Sequence, residues 1–209
     1  MTTSSAIPAA RAAELRTARL VLRQWRDADR APFAAMNADA GTMRFFPRPY
    51  SADESDRFVD ANARSLAERG WGNWAVEVAE SGAFAGFVGL SEPAAWHPCA
   101  GEIEIGWRLA APHRGRGHAT EAARRVLEVG FGTLGLDRIV SYTAVPNAPS
   151  VAVMRKLGMV DDGRGFDHPR IEPGSELRPH VVYRLSREHW QAGRRDADTA
   201  NDTHRRPAP

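Results

Sequence analysis

Residues 102–123, EIEIGWRLAAPHRGRGHATEAA, join an alternating stretch to a helical one through a turn that holds two glycines. Along 102–109, Ile103, Ile105, Trp107 and Leu109 fall on one face. Glu102, Glu104, Gly106 and Arg108 fall on the other, which is the pattern of a strand with one buried face. Beyond the turn, Ala119, Ala122, Ala123, Val126, Gly130, Phe131 and Leu134 recur at helical spacing. Both elements must bury an apolar side, so this junction predicts a layered α/β arrangement.

The turn has its own chemistry. A helix start presents four unpaired backbone N–H groups and the positive end of the macrodipole, roughly half a charge. Gly115 and Gly117 let the chain turn and let a ligand approach the backbone. Arg114 and Arg116 add full charge beside it. This suits an anion such as a diphosphate, although many glycine-rich turns only begin a helix. It is not a Walker loop, since no Gly-Lys-Ser/Thr follows. It is not the dinucleotide fingerprint either, because the third glycine and the downstream ribose-binding acid are missing.

Elsewhere RLVLRQW (19–25) reads as a strand and DADRAPFAAMNAD (27–39) as a short helix. The helix over 51–70 opens on Ser51 with Glu54 three residues later, a capping box, and stops at Gly70. NWAVEVAE and AFAGFVGLSE are strands joined at a Ser-Gly turn. A strand over 137–145, a helix over 148–158 and a last strand over 178–186 follow. Hairpins come first and strand–helix–strand units later, so we expect a mixed sheet with helices on both faces. We assign 1–16 to a flexible arm, 17–192 to one domain and 193–209 to a disordered polar tail.

Charge and cysteine content narrow the function classes. Lys and Arg total 28 against 26 acidic residues, so neither a nucleic-acid nor a membrane partner follows. One cysteine, Cys99, permits no internal disulfide. The first residues lack the apolar core of a signal peptide, and no run is long enough for a membrane span, so a cytoplasmic setting is expected. His97 and Cys99 lack further ligands at metal spacing, so no metal is expected and a plain loop explains them. The sequon at 201–203 carries no weight in a cytoplasmic protein.

RGRGHA at 114–119 resembles the Arg/Gln-x-x-Gly-x-Gly/Ala signature of the GNAT family of N-acetyltransferases. EIGWRLAAPHRGRGHATEAA followed by NAPSVAVMRKLGM, and the opening TARLVLRQWRDADRAPFAAMNAD, are similar to the branch of ribosomal-protein N-terminal acetyltransferases. The likeness spans roughly 17–187. It implies a mixed sheet of six or seven strands with a splayed strand pair that holds acetyl-CoA. Arg114, Gly115, Arg116, Gly117, His118 and Ala119 would bind the pyrophosphate. Ile105, Trp107 and Leu109 would lie along the pantetheine arm. Asn147 would hold the pantetheine or adenylate end, with Arg155 and Lys156 available to its phosphates.

For the chemistry, the resemblance implies direct attack by a primary amine in a ternary complex. Glu104, just before IGW, is the candidate general base, with Glu102 second and a solvated strand position as the alternative for each. Many family members carry a tyrosine seven positions after the asparagine, but here that position is Met154. Ser150 is then assigned to the departing thiolate, with a helix-start role as the alternative, and Tyr142 is a less favoured donor. Cys99 has no base partner, so an acyl-cysteine route is not expected. Phe45, Phe46, Trp71 and Trp74 would line the amine pocket or the core, and 165–180, with Asp167 and His168, could cover it. The acceptor would be a small-molecule or peptide amine, and a homodimer is compatible with the exposed edges. Two other readings stay open. One is a catalytically weak CoA-binding sensor of the same fold. The other is a regulatory domain for another nucleotide.

Overall fold

The computed structural model describes residues 14–203, with side chains through Arg195. Strand β1 (Leu15–Arg16) and β2 (Leu20–Arg23) lead through a 3-10 turn (Asp27–Asp29) into α1 (Arg30–Ala38), the short α2 (Ala40–Met43) and α3 (Ala52–Arg69). Next come β3 (Asn73–Val78), β4 (Phe84–Ser91) and β5 (Glu104–Leu109). Helix α4 (His118–Glu128) then runs into one π turn (Val129–Thr133). β6 (Arg138–Ala144), α5 (Ala148–Lys156), β7 (Val160–Asp161), β8 (Phe166–Asp167), β9 (Pro179–Ser186) and α6 (Arg187–Thr203) complete the chain.

The sheet order is β1-β2-β3-β4-β5-β6-β9-β7, with β8 also on β9. Six strands have four or more residues, and the rest are two-residue extensions. Every neighbouring pair is antiparallel except β5–β6. A parallel neighbour needs a crossover, and α4 with its π turn is that connection. β4 is buried at six successive positions, so both faces of the sheet are covered. α1, α3 and α4 supply the cover.

Helix α3 begins as expected: Ser51 accepts from the Glu54 amide and the Glu54 carboxylate accepts from the Ser51 amide. α1 and α3 close over an aromatic cluster of Trp25, Phe33, Phe58, Phe84 and Phe87, with ring centroids 4.8 to 6.2 Å apart. Trp25 satisfies its indole N–H on the Asn73 carbonyl at 2.8 Å. Trp71 and Trp74 are buried in this same core. They do not line an amine pocket: β3 directs Trp74 inward, where a large ring buries most apolar area.

The two ends differ from the reading of the sequence. Residues 1–13 lie outside the described residues, but Leu15 is already buried and pairs with Leu22. Where a disordered tail was expected from 193, α6 continues to Thr203, and 204–209 lie outside the described residues. Apolar and ionic anchors hold the first half of this helix. Trp190 meets Phe131 at 5.2 Å, and Arg194 donates to Glu128 at 2.9 Å.

Candidate active site between two splayed strands

β5 and β6 pair at a single register position, Glu104 opposite Val140, with the Val140 amide donating to the Ile103 carbonyl at 2.9 Å. Beyond that point the strands diverge, and the edge of β5 from Ile105 to Leu109 has no strand on that side. The divergence opens a cleft of about 540 Å³. Its walls come from the 113–120 turn, the start of α5, the loop after α2 and the polar face of β5.

The turn leaves a run of backbone amides open. Gly115 and Gly117 have φ of 71° and 81°, the left-handed region that an L side chain enters at a cost. The amides of 115–120 find no acceptor among the described residues, and the first paired amide is that of Glu121, bonded to the Gly117 carbonyl. Six donors thus lie at a helix start that faces the cleft. Glu121 fixes this geometry from behind. Its carboxylate accepts from the Thr17 hydroxyl (2.6 Å), the Arg19 amide (2.9 Å) and the Arg19 guanidinium (2.7 Å), while Arg19 also donates to the Arg116 carbonyl. Burial works against these bonds, yet they hold the Glu121 carboxyl below its ordinary pKa.

The expected diphosphate contacts are through backbone amides, and the side chains of the turn are used in different ways. Arg114 turns its guanidinium away from the open amides and donates to the Leu109 carbonyl at 2.8 Å and to the Thr42 hydroxyl, tying the turn to α2. Its own five-donor fork is spent on the protein, and Arg116 is the exposed cation of the turn. His118 is buried as the first residue of α4. Its Nδ1 lacks a partner, and burial lowers its pKa, so it lines the cleft as a neutral ring. Ala119, Trp107 and Leu109 also line the cleft. Ile105 keeps its side chain in the main core, where it is wholly buried.

At the mouth of the splay, Glu104 Oε2 accepts from the Tyr142 hydroxyl at 2.8 Å and from the Ser91 hydroxyl at 3.3 Å. No cation pairs with it among the described residues. Desolvation dominates and raises the Glu104 pKa, and the two hydroxyls pull it partly back. Glu102 has the opposite surroundings. Arg184 grips it at 2.7 and 3.0 Å and Arg138 at 3.2 Å, and the Arg184 hydrogen bonds hold its carboxyl low. It belongs to an ion network and is corrected from second-choice base to structural acid. Tyr142, read from sequence as a minor donor, is central here. Its ring stacks on His97 at 4.2 Å, and burial pushes its hydroxyl well above the ordinary range.

Asn147 is the cap of α5. Its Oδ1 accepts from the Ser150 amide at 3.3 Å and its Nδ2 donates to the Thr143 hydroxyl at 2.7 Å. The capping role is therefore not that of Ser150, whose hydroxyl has no partner among the described residues and lines the cleft. Asn147 lines it as well, with its amide engaged. Phe45, Phe46 and His168 line the cleft, whereas Asp167 pairs with Arg178 at 3.3 Å. Buried Cys99 is pushed up to about 11, mainly by desolvation, which suppresses a thiolate.

Sequence reasoning passed over Ser91 and Arg108. Arg108 had been placed on the polar face of β5 without a role. The warning was available: an arginine inside IGWRL, flanked by Trp107 and Leu109, must be buried with its strand.

The acetyltransferase (GNAT) domain family matches residues 19–160. An uncharacterized N-acetyltransferase of Bacillus subtilis, YnaD, is 27% identical over 175 residues, which cover 83% of this chain and 97% of that protein. A GNAT-family acetyltransferase from Bacillus anthracis superposes with a TM-score of 0.69 at 25% identity, covering 84% of this chain and 99% of that one. A spermidine N-acetyltransferase from Vibrio cholerae, solved with CoA and spermine, shares the fold at a TM-score of 0.66 and 24% identity, covering 84% and 99%. With a splayed strand pair, an amide-lined turn and a domain match over most of the chain, this protein belongs to the GNAT family of acetyltransferases.

Proposed function

We propose that this chain is an acetyl-CoA-dependent N-acetyltransferase that moves the acetyl group to a primary amine by direct attack within a ternary complex. The observation that carries the reading is the Glu104 carboxylate. It stands at the single point where β5 and β6 still touch, unpaired with any cation among the described residues and raised by desolvation. A carboxylate so placed is a better proton acceptor than one in water.

The cradle fits the co-substrate on its own chemistry. Six free amides beside an exposed Arg116 match a diphosphate, and the unpaired edge of β5 matches an extended amide-bearing arm. Acetyl-CoA supplies the activated acetyl thioester; transfer forms a C–N bond and breaks a C–S bond. Glu104 takes a proton from the attacking amine, directly or through one water, and the Tyr142 and Ser91 hydroxyls hold that carboxylate in place. Ser150, with its hydroxyl free of the helix cap, donates to the departing sulfur. The turn amides, Trp107 and Leu109 orient the co-substrate.

The resemblance to ribosomal-protein acetyltransferases supports peptide N-termini as acceptors, beside small amines. A cytoplasmic setting fits the single, buried cysteine. The test is thiol release from acetyl-CoA with a panel of peptides, amino acids and polyamines. Glu104→Gln should lower turnover about 10²–10⁴-fold with acetyl-CoA affinity retained. Unchanged turnover in Glu104→Gln would remove the base assignment, and acetyl-CoA that fails to bind would remove the reading altogether.

A further inference from the structure

On the same face of β5 as Glu104, four residues on, Arg108 is buried with 8% of its surface exposed and lines the cleft. It makes no ion pair among the described residues. Its Nη1 donates to the Asn37 side-chain carbonyl at 2.6 Å, and Nε has no acceptor. Three rings surround the guanidinium: Phe46 at 4.3 Å, Tyr50 at 5.0 Å and Phe87 at 5.5 Å from their centroids. Asn37 is in turn fixed by donating to the Ser55 hydroxyl at 3.0 Å, so Ser55, Asn37 and Arg108 form a rigid relay from α3 through α1 to the sheet.

A guanidinium out of water without a carboxylate is costly, and ring faces, one amide and the Tyr50 hydroxyl offset only part of that cost. Its neighbourhood is nonetheless open to the cleft. Gly106 lies between Glu104 and Arg108, and a Cβ built there would meet nothing closer than Glu104 Oε1 at 3.6 Å. The strip from Glu104 to Arg108 is therefore a bare backbone floor. It has a proton acceptor at one end, a fixed planar cation at the other, and Phe46, Phe58 and Phe87 along the wall.

We propose that Arg108 is the specificity residue of the acceptor site and that the acceptor is an amine carrying a carboxylate. The amine meets Glu104 and the carboxylate meets the Arg108 fork, whose geometry suits a carboxylate. Four residues of strand span about 13 Å, so the two charges of the acceptor sit several bonds apart, as in an ω-amino acid or a short peptide. A polyamine is disfavoured, because it would bring a second cation against a buried one. This inference rests on the proposed transferase reading but is tested separately from it.

The experiment measures binding before turnover. With CoA present, calorimetry compares ω-amino acids of one to five methylenes and diglycine with their carboxamides, and with spermidine. The wild type should bind the best carboxylate about ten- to a hundredfold tighter than its carboxamide, the range of a charge-assisted hydrogen bond. Arg108→Met should bring the two into line. Arg108→Lys, which keeps charge but loses the fork, should restore part of the gap. The carboxamide comparison uses the wild-type protein, so a variant that fails to fold leaves it intact. Equal binding of carboxylate and carboxamide, no binding by any carboxylate, tighter binding of spermidine, or a preference that survives Arg108→Met would each overturn the proposal. A carboxylate preference without thiol release would instead strike the transferase reading and leave the Arg108 site standing.

Discussion

Two arginines are buried in this sheet, and their surroundings are opposite. Arg23 on β2 is 5% exposed and held by Asp29 through two bonds, at 2.7 and 2.9 Å, and by Glu77 at 2.8 Å. These bonds, the Asp29 one above all, raise its pKa against the effect of burial. Arg108 on β5 is as deeply buried but has only neutral partners, the Asn37 amide, the Tyr50 hydroxyl and three rings, and desolvation lowers its pKa. The β2 side of the molecule balances its charges internally. The β5 side leaves a carboxylate, a guanidinium and a run of amides each facing one cleft without their complements. Interior charge without a partner is unfavourable, so a fold that keeps three such groups around one space has built it for a ligand that brings the complements.

The sharpest way to break this contrast is to compare stabilities. Asp29→Ala leaves Arg23 buried with half of its partners, and we expect a loss of about 3–5 kcal/mol by chemical denaturation. Arg108→Met removes an unbalanced charge and replaces it with a flexible apolar chain, so stability should change by less than about 1 kcal/mol or rise. A comparable loss in both variants would mean that the rings around Arg108 balance it as fully as carboxylates do.

The sequence showed the two regions unequally. The glycine-rich turn before α4, the capped α3, the β3–β4 hairpin and the strand position of Glu104 were legible because each depends on local spacing, glycine and alternation. What distinguished Glu104 from Glu102 was not local. Both lie on one face of the same stretch, and only the arrival of Arg184 from β9 and Tyr142 from β6 assigns one to an ion network and the other to the cleft. The same holds for Arg108, whose lack of a carboxylate is a property of α1 and α2 folding over β5. Trp71 and Trp74 stayed undecided between pocket and core for the converse reason: aromatic residues look alike in sequence in either place, and the structure puts both in the core. Composition also does not register the anchors that hold the start of α6, Trp190 on Phe131 and Arg194 on Glu128.

The contrast repeats at two serines that begin helices. Ser51 spends its hydroxyl on the Glu54 amide, whereas at α5 the capping bond comes from Asn147 and the Ser150 hydroxyl stays free. Ser150→Ala should therefore leave stability within about 0.5 kcal/mol. It should lower kcat about ten- to a hundredfold, the value of a hydrogen bond to a group that becomes charged in the reaction. Loss of stability without loss of kcat would return Ser150 to the class of structural serines.

The smallest effect tests how two carboxylates near the cleft, Glu121 on α4 and Glu104 on β5, divide their roles, and it is read from a pH profile. Glu121, gripped by Arg19 and Thr17, is held low and stays ionised across the working range. Glu104 is raised by desolvation, and the hydrogen bonds from its two hydroxyl partners pull it partly back. A base must be deprotonated to act, so kcat/KM should climb as pH rises through the Glu104 pKa, above the ordinary carboxylate value. Tyr142→Phe removes the stronger of the two hydroxyl bonds, at 2.8 Å, and with it a stabiliser of the charged form. The pKa of Glu104 must then rise further and carry the acidic limb of the profile to higher pH. The plateau should fall only about fivefold, the value of one neutral hydrogen bond. If the limb moved to lower pH or stayed still while the plateau fell, Tyr142 would be acting on the substrate and not on Glu104. The titrating base would then lie elsewhere in the cleft.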